Sequence, residues 1–270
     1  MTIKIGIAGV MGRMGQALVA AITAMPKAAL AGGLEYPGHP AVGRGIRDGA
    51  HDDTGLQVTS DADALFAASD VVIDFTAPQA LGGHLAAARA HGTAVFIGTT
   101  GLTAADHQAL DRAAQNIALL QCANASLGVN LLLGLVRQTA ASLGPDWDIE
   151  IVEMHHRHKV DAPSGTALAL GVAAAAGRGV DLDQHKVLSR QGITGARPAG
   201  SIGFATLRGG NVPGDHSVIF AADDERIELS HKAGDRRIFA HGAVTAALWL
   251  VGQAPGRYSM ADMLGLNAKS

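Results

Sequence analysis

The chain has a single cysteine, Cys122, in 270 residues. An internal disulfide and a cysteine-rich metal cluster each need several thiols, so neither organises this fold, and a reducing compartment is permitted. An excess of one charge is also missing: 21 basic side chains face 24 acidic ones, a formal net charge of -3. No global positive field draws nucleic acid or an anionic lipid surface, and any anion site has to be local. Long apolar runs are absent too. Leu131 to Val136 and Ala167 to Ala176 are the most apolar later segments, far below the roughly 20 residues that cross a bilayer. The opening MTIKIGIAGVMGRMG lacks the basic start and small-residue cleavage site of a secretory signal, so a soluble, cytoplasmic protein is expected, with no membrane and no nucleic-acid partner.

What is present suits a tightly turned α/β protein: 48% hydrophobic residues, 17% charged residues and 35 glycines. The length accommodates two domains of roughly 100 to 150 residues. Thr2 to Ala8 reads as a strand ending in glycines, and Arg13 to Ala24 as a helix. The alternation continues with strands at Ala28 to Leu34, Val71 to Asp74, Ala94 to Ile97 and Ile117 to Cys122. Helices are expected at Ala62 to Ala67, Pro78 to Ala90 and Thr103 to Gln115. Strands spaced by helices predict a doubly wound parallel sheet with its ligand at the carboxyl ends of the strands.

After a helix at Leu127 to Ser142 the rhythm changes. Trp147 to Glu153 alternates apolar and polar residues, a helix is expected over Ser164 to Ala176, and strand-like runs follow at Ser201 to Arg208, Ser217 to Ala222 and Arg226 to His231. Strands joined by short turns predict a second α+β domain on a mixed or antiparallel sheet, beginning near residue 127. Residues 178 to 200 read as an exposed loop, and the helix Phe239 to Val251 can pack on either domain.

The glycines Gly9, Gly12 and Gly15, with Val10, Met11, Arg13 and Met14 between them, form a GxxGxxG loop where the first strand meets the first helix. Glycine permits a tight turn and lets a pyrophosphate approach the backbone N–H groups of the helix start. Glu35 follows 20 residues after Gly15, where an acidic side chain accepts hydrogen bonds from ribose hydroxyls. It would repel a 2′-phosphate that Arg13 could contact, and Tyr36 adds no charge, so NADH is expected to serve at least as well as NADPH. Asp74 to Thr76, Gly98 with Thr99 and Thr100, and Cys122 with Ala123, Asn124 and Ala125 close later strands on the same side. Thr and Asn there can hold a nicotinamide carboxamide, while plain strand-end turns are the alternative, above all at Asp74 to Thr76. Cys122 has no adjacent base and reads as a small buried side chain rather than a nucleophile.

The most informative segment runs Glu153-Met-His155-His156-Arg157-His158-Lys159-Val-Asp161-Ala-Pro163-Ser164-Gly165-Thr166. If the preceding strand stays extended, alternation puts His155, Arg157 and Lys159 on one face and His156 and His158 on the other. Beyond it, Ser164 is an N-cap and the N–H groups of Gly165 and Thr166 open a helix, which makes an anion pocket. A lysine ammonium about 4 Å from a carboxylate is worth on the order of 4 kcal/mol at an effective dielectric of 20. A small carboxylate substrate is therefore expected. The competing readings are a metal site, opposed by the neighbouring Arg and Lys, so that no metal is expected; a nucleic-acid patch, which lacks interleaved aromatics; and a solvated charged strand.

The glycine loop, Gly98 to Gly101, Asn124 to Asn130, the His155 to Thr166 run and the Phe239 to Trp249 helix together resemble the 4-hydroxy-tetrahydrodipicolinate (dihydrodipicolinate) reductase family over the whole chain. The resemblance implies a Rossmann-like domain of residues 1–126 completed by 238–270, a substrate domain of residues 127–237, and a homotetramer assembled through the second domain's sheets. It also implies reduction of a cyclic 4-hydroxy dicarboxylate by NADH or NADPH with loss of water, on the route to diaminopimelate and lysine. His155 then corresponds to the proton donor, Lys159 to a second catalytic donor, and His156, Gly165 and Thr166 to the groups that bind substrate carboxylate. Hydride addition to a ring imine leaves electron density at nitrogen that a proton must quench, and an imidazole suits that task near neutrality. Two positions depart from the pattern: Tyr36 stands where relatives that use NADPH well often hold arginine, and Ala125 is smaller than the usual residue. Two alternatives stay in view, another two-domain dehydrogenase of amino-acid metabolism and a non-catalytic dinucleotide sensor.

Overall fold

The β-branched run at the N-terminus does what its side chains favour, forming the first strand, β1 (Ile3–Ala8), with Ile5 and Ile7 fully buried. The computed structural model describes residues 2–47 and 53–267. After β1 come α1 (Arg13–Thr23), β2 (Ala28–Leu34), β3 (Gly45–Arg47), β4 (Asp53–Thr59), α2 (Ala62–Ala67), β5 (Val71–Asp74), α3 (Pro78–His91), β6 (Ala94–Ile97), α4 (Ala104–Ala113) and β7 (Ala118–Gln121). Local chemistry sets several ends. Thr103 and Asp106 form a reciprocal capping box at the start of α4, and α3 opens on Pro78 and stops at Gly92, whose φ is +67°.

The chain continues through α5 (Leu127–Ser142), β8 (Asp148–His155), α6 (Gly165–Arg178), α7 (Leu182–His185), β9 (Lys186–Val187), β10 (Ile202–Arg208), β11 (Asp215–Ala221) and β12 (Arg226–Lys232). It closes with α8 (Arg237–Leu250), β13 (Gly256–Tyr258) and α9 (Met260–Met263). Contacts divide it into two units, Met1–Leu127 with Arg237–Ser270, and Gly128–Arg236.

The first unit holds an eight-stranded sheet in the order β13-β7-β6-β5-β1-β2-β4-β3, parallel except where β3 meets β4. Its two faces are covered by separate apolar clusters. One gathers Leu18, Val19 and Ile22 of α1 and Ala240, Ala243, Val244 and Ala247 of α8; the other gathers Leu65, Phe66, Leu85, Ala88 and Leu110 of α2, α3 and α4. This is the doubly wound, Rossmann-like arrangement, and each fully buried Ile or Phe contributes about 1.5–3 kcal/mol. Small residues let α8 come close: a Cβ at Gly242 would sit 1.9 Å from the Ala125 carbonyl oxygen. The pair β3 and β4 was not anticipated from the sequence, because glycines, aspartates and arginines interrupt any alternation there.

The second unit is a five-stranded mixed sheet, β12-β11-β8-β10-β9. β8 runs parallel to β10 and antiparallel to β11. Its alternating burial turns Ile149, Ile151, Glu153 and His155 to one face, where Val136, Leu170, Ala174, Phe204 and Phe220 build a core under α5 and α6. The stretch 178 to 200, expected as plain loop, includes α7 and β9. Its Arg190 and Arg197 are tied to Glu150 at 2.8 and 2.9 Å, and Arg197 also to Asp148 at 2.6 Å.

Candidate active site

In the first unit the glycine loop is built as its spacing requires. Gly9 has a φ of +82°, the Gly12 N–H bonds the Gly9 carbonyl at 3.1 Å, and a Cβ at Gly15 would lie 2.2 Å from that carbonyl oxygen. Only glycine fits at position 15. Gly12 is the N-cap of α1 and offers no side chain to its first turn; Arg13 and Met14 begin the helix, and Val10 is buried beneath the loop. Glu35 stands one residue past the end of β2 and accepts the Met11 N–H at 2.9 Å. Gly9, Met11, Gly12 and Glu35 line a cleft of about 760 Å³, together with Tyr36, His39, Phe75, Thr76 and His84. Tyr36 is 64% exposed and meets the His39 ring edge-on at 5.1 Å. A smaller hollow of about 380 Å³, lined by Gln16, Arg44 and Arg47, shares Met11 with the cleft.

Gly98, Thr99 and Thr100 follow β6, and Cys122, Ala123, Asn124 and Ala125 follow β7, at the same carboxyl edge of the sheet but outside the lining of that cleft. Gly98 is pressed against Phe75, since a Cβ there would lie 2.2 Å from the ring. Asp74 is more than a turn residue. Buried at the end of β5, it accepts from the Thr76 N–H and hydroxyl, from Thr99 at 3.3 Å and from His84 at 2.7 Å, so one carboxylate joins β5, β6 and α3. Burial pushes the Cys122 thiol up to about 12, which leaves it protonated near neutrality and unsuited to nucleophilic attack.

In the second unit the histidine-rich run departs from the extended geometry expected for it. β8 ends at His155; the Lys159 N–H then closes a turn on the His156 carbonyl at 3.1 Å. The strand stops because the backbones of His156 and Arg157 are taken by Val212 and Gly210. Alternation therefore does not align Arg157 or Lys159 with His155. Arg157 is exposed, and Lys159 reaches Asp161 at 2.8 Å, the pairing that chiefly holds the Asp161 carboxyl below the usual range. His156 and His158 do lie near each other, with ring centroids 6.3 Å apart. Arg236 comes within 3.3 Å of His156 Nε2. Desolvation first, then Arg236, His155, His158 and Lys159, lower the His156 pKa, so these groups share one electrostatic neighbourhood.

Strand register supplies what sequence inspection missed. Glu153 lies opposite His216 on β11, and His155 opposite Arg208 on β10. Glu153 is 1% exposed, and its carboxylate takes the His155 Nδ1 at 2.5 Å, both Arg208 Nη atoms at 2.9 and 3.0 Å and the Ser164 N–H at 3.0 Å. Burial alone would raise its pKa, but the bonds from Arg208, His155 and Ser164 together hold it below the usual carboxylate range. Ser164 caps α6 by accepting the Ala167 N–H at 3.1 Å, and its Oγ lies 3.1 Å from His216 Nε2. Gly165 and Thr166 thus open α6 at the positive end of its dipole. Desolvation, reinforced by His155, brings the His216 imidazole down to about 4. The signal for Glu153 was its i, i+2 spacing from His155; nothing local announced Arg208, His216 or Arg236.

A glycine-turned helix start beside a cleft in one unit and an imidazole tied to a helix N-terminus among cationic side chains in the other are the features of a two-domain, pyridine-nucleotide-dependent reductase. The family model described as dihydrodipicolinate reductase, N-terminus, matches residues 3–125, and the one described as dihydrodipicolinate reductase, C-terminus, matches residues 128–264. The 4-hydroxy-tetrahydrodipicolinate reductase of Rhodopseudomonas palustris (strain BisB18) is 54% identical over 97% of each chain. That of Afipia carboxidovorans is 53% identical over 98% of this chain and 97% of its own. The fold matches dipicolinate-bound dihydrodipicolinate reductase from Paenisporosarcina sp. TG-14 with a TM-score of 0.78 at 24% identity, over 98% of this chain and all of that one. The chain belongs to the dihydrodipicolinate reductase family. Among the described residues no helix is long and apolar enough to cross a membrane.

Proposed function

We propose that the protein reduces 4-hydroxy-tetrahydrodipicolinate to tetrahydrodipicolinate with loss of water, in the cytoplasm, on the route to diaminopimelate and lysine. The observation that carries this reading is the buried carboxylate of Glu153, which ties the His155 imidazole to the start of α6 and so keeps a proton donor beside an anion pocket. The first unit fits a dinucleotide, since the tight loop admits no Cβ at Gly15, where it would collide with the Gly9 and Val10 backbone, Gly9 and Gly12 line the cleft without side chains, and Glu35 stands at the strand end. Gly9 to Met14, Glu35, Gly98 to Thr100 and Cys122 to Ala125 hold it. When bound, the reduced nicotinamide supplies a hydride.

The remaining work falls to the chain's own side chains. Lys159, His156, Gly165 and Thr166 hold the substrate carboxylates, and Lys159 exchanges Asp161 for a substrate oxygen. His155 keeps Nδ1 on Glu153 and delivers a proton from Nε2 to the ring nitrogen. Gly214 keeps that atom open, because a Cβ there would stand 2.9 Å from it. Arg236, beside His156, adds a further cation for carboxylate. NADH serves at least as well as NADPH, because Glu35 repels a 2′-phosphate and Tyr36 offers no charge. Use of NADPH as well is favoured by the hollow that Arg44 and Arg47 line beside Met11.

The second unit's sheet exposes Leu207 at 48% on the face it shares with Met154, turned away from the core, and this face assembles a homotetramer, which light scattering checks. The decisive assay follows NADH absorbance with enzymatically generated cyclic substrate and then repeats it with NADPH. Calorimetry with pyridine-2,6-dicarboxylate separates the enzyme from a dinucleotide sensor: no turnover and no dicarboxylate binding would leave only the sensor.

A further inference from the structure

We infer that Glu153 is the positioning residue of the reaction: it fixes the His155 ring so that Nδ1–H stays on the carboxylate and Nε2 alone exchanges its proton with substrate. This rests on the proposed role of His155. Three features of the second unit support it. The two side chains lie two residues apart on the buried face of β8, so the strand itself sets their contact, at 2.5 Å. The carboxylate is anchored on every other side, by Arg208 on β10 with two bonds and by the Ser164 backbone with one. It therefore cannot swing away when the imidazole changes its proton count. Finally, the His155 and His216 rings meet edge to face with centroids 5.1 Å apart, and Nε2 lies 2.9 Å from where a Cβ at Gly214 would stand, so close neighbours flank the ring that the carboxylate holds.

The same carboxylate links proton donor and anion pocket. Its Oε2 takes the imidazole and its Oε1 takes the residue that caps α6, so the ring and the helix start are held in one frame. In proton transfer the Nε2–H bond breaks and the new N–H bond forms on the substrate ring, while the Nδ1–H bond is kept. A ring that has lost its carboxylate is free to settle in the other tautomer or to turn, and the proton is then misplaced.

The test is a double-mutant cycle with the full-length enzyme. Glu153→Gln is expected to lower kcat on the order of 100-fold, with NADH affinity unchanged. In the His155→Ala background the same substitution should cost almost nothing, because the group it positions is gone. An equal loss in both backgrounds would mean that Glu153 only supports the fold and would overturn the inference. An unchanged His155→Ala enzyme would instead refute the active-site reading itself, so the two failures are distinguishable. Nitrogen-15 spectra of histidine-labelled wild type give a measurement that needs no variant to fold. The neutral His155 ring should be protonated at Nδ1, and a ring protonated at Nε2 instead overturns the assignment.

Discussion

The first unit shapes its cleft largely with backbone, through a positive-φ glycine, a carbonyl within 2.2 Å of where a Cβ would stand, and one carboxylate at a strand end. The second unit builds its site around a side chain, with the His155 and Arg208 side chains and the Ser164 N–H converging on Glu153 from three separate segments. A pyrophosphate is met by main-chain N–H groups that any sequence possesses, so the requirement is for the absence of side chains. A proton donor has to be a particular chemical group in a particular orientation, so the requirement is for neighbours. A backbone site should therefore fail when atoms are added, and a side-chain site when atoms are removed.

The largest effect is expected on the side-chain site. His155→Ala should lower kcat by roughly 100- to 10,000-fold while NADH affinity, measured by calorimetry, stays within about twofold of wild type. Gly15→Ala inverts the pattern: it should weaken NADH binding by tenfold or more, about 1.4 kcal/mol or above, yet leave pyridine-2,6-dicarboxylate binding in place. Loss of both ligands together would blur the contrast between the units. Lys159→Ala should raise the KM for the dicarboxylate and lower turnover, each by roughly tenfold; steady-state kinetics that show neither change would remove the lysine from the site.

Acid should separate the units further. The His216 pKa lies near 4 in the folded protein and near 6.5 when unfolded, so between these values the unfolded chain binds more protons and stability falls as pH falls. This contribution is intact above pH of about 6.5 and declines toward about 4, by roughly 3 kcal/mol in all. Glu153, depressed in the folded state, loses its contribution lower still, beneath the ordinary carboxylate range. Urea titrations should show His216→Gln losing roughly 2 kcal/mol less than wild type between about pH 7 and 5; parallel losses would mean that His216 is not buried as a neutral ring. The smallest effect is at the edge of the backbone site, where Tyr36→Arg should move the NADPH to NADH ratio of kcat/KM up by about tenfold.

Much of this was legible in advance where the determining forces are local. The strand at residues 28 to 34, the short helix at 62 to 67 and the Ser164 cap follow from side chains that act within a few residues of themselves, and the structure has each of them. The glycine loop was readable for the same reason. The antiparallel pair of β3 and β4 was not, because the two strands hold by pairing with each other and, for β4, with β2, rather than by a propensity of their own. The histidine run shows the limit most clearly. Its residue types marked the chemistry, but extended alternation gave the wrong grouping beyond His155, because the His156 and Arg157 N–H groups donate to the Val212 and Gly210 carbonyls and the strand ends there.

By itself, then, the order of amino acids determined which chemistry the chain carries: turns only glycine can make, a strand-end carboxylate and a cluster of imidazoles and ammonium groups. Tertiary structure decided which of those groups act together. Sheet register places Arg208 across from His155 and His216 across from Glu153, and a hydrogen bond depends on distances of a few tenths of an ångström between residues that can lie 50 positions apart or more.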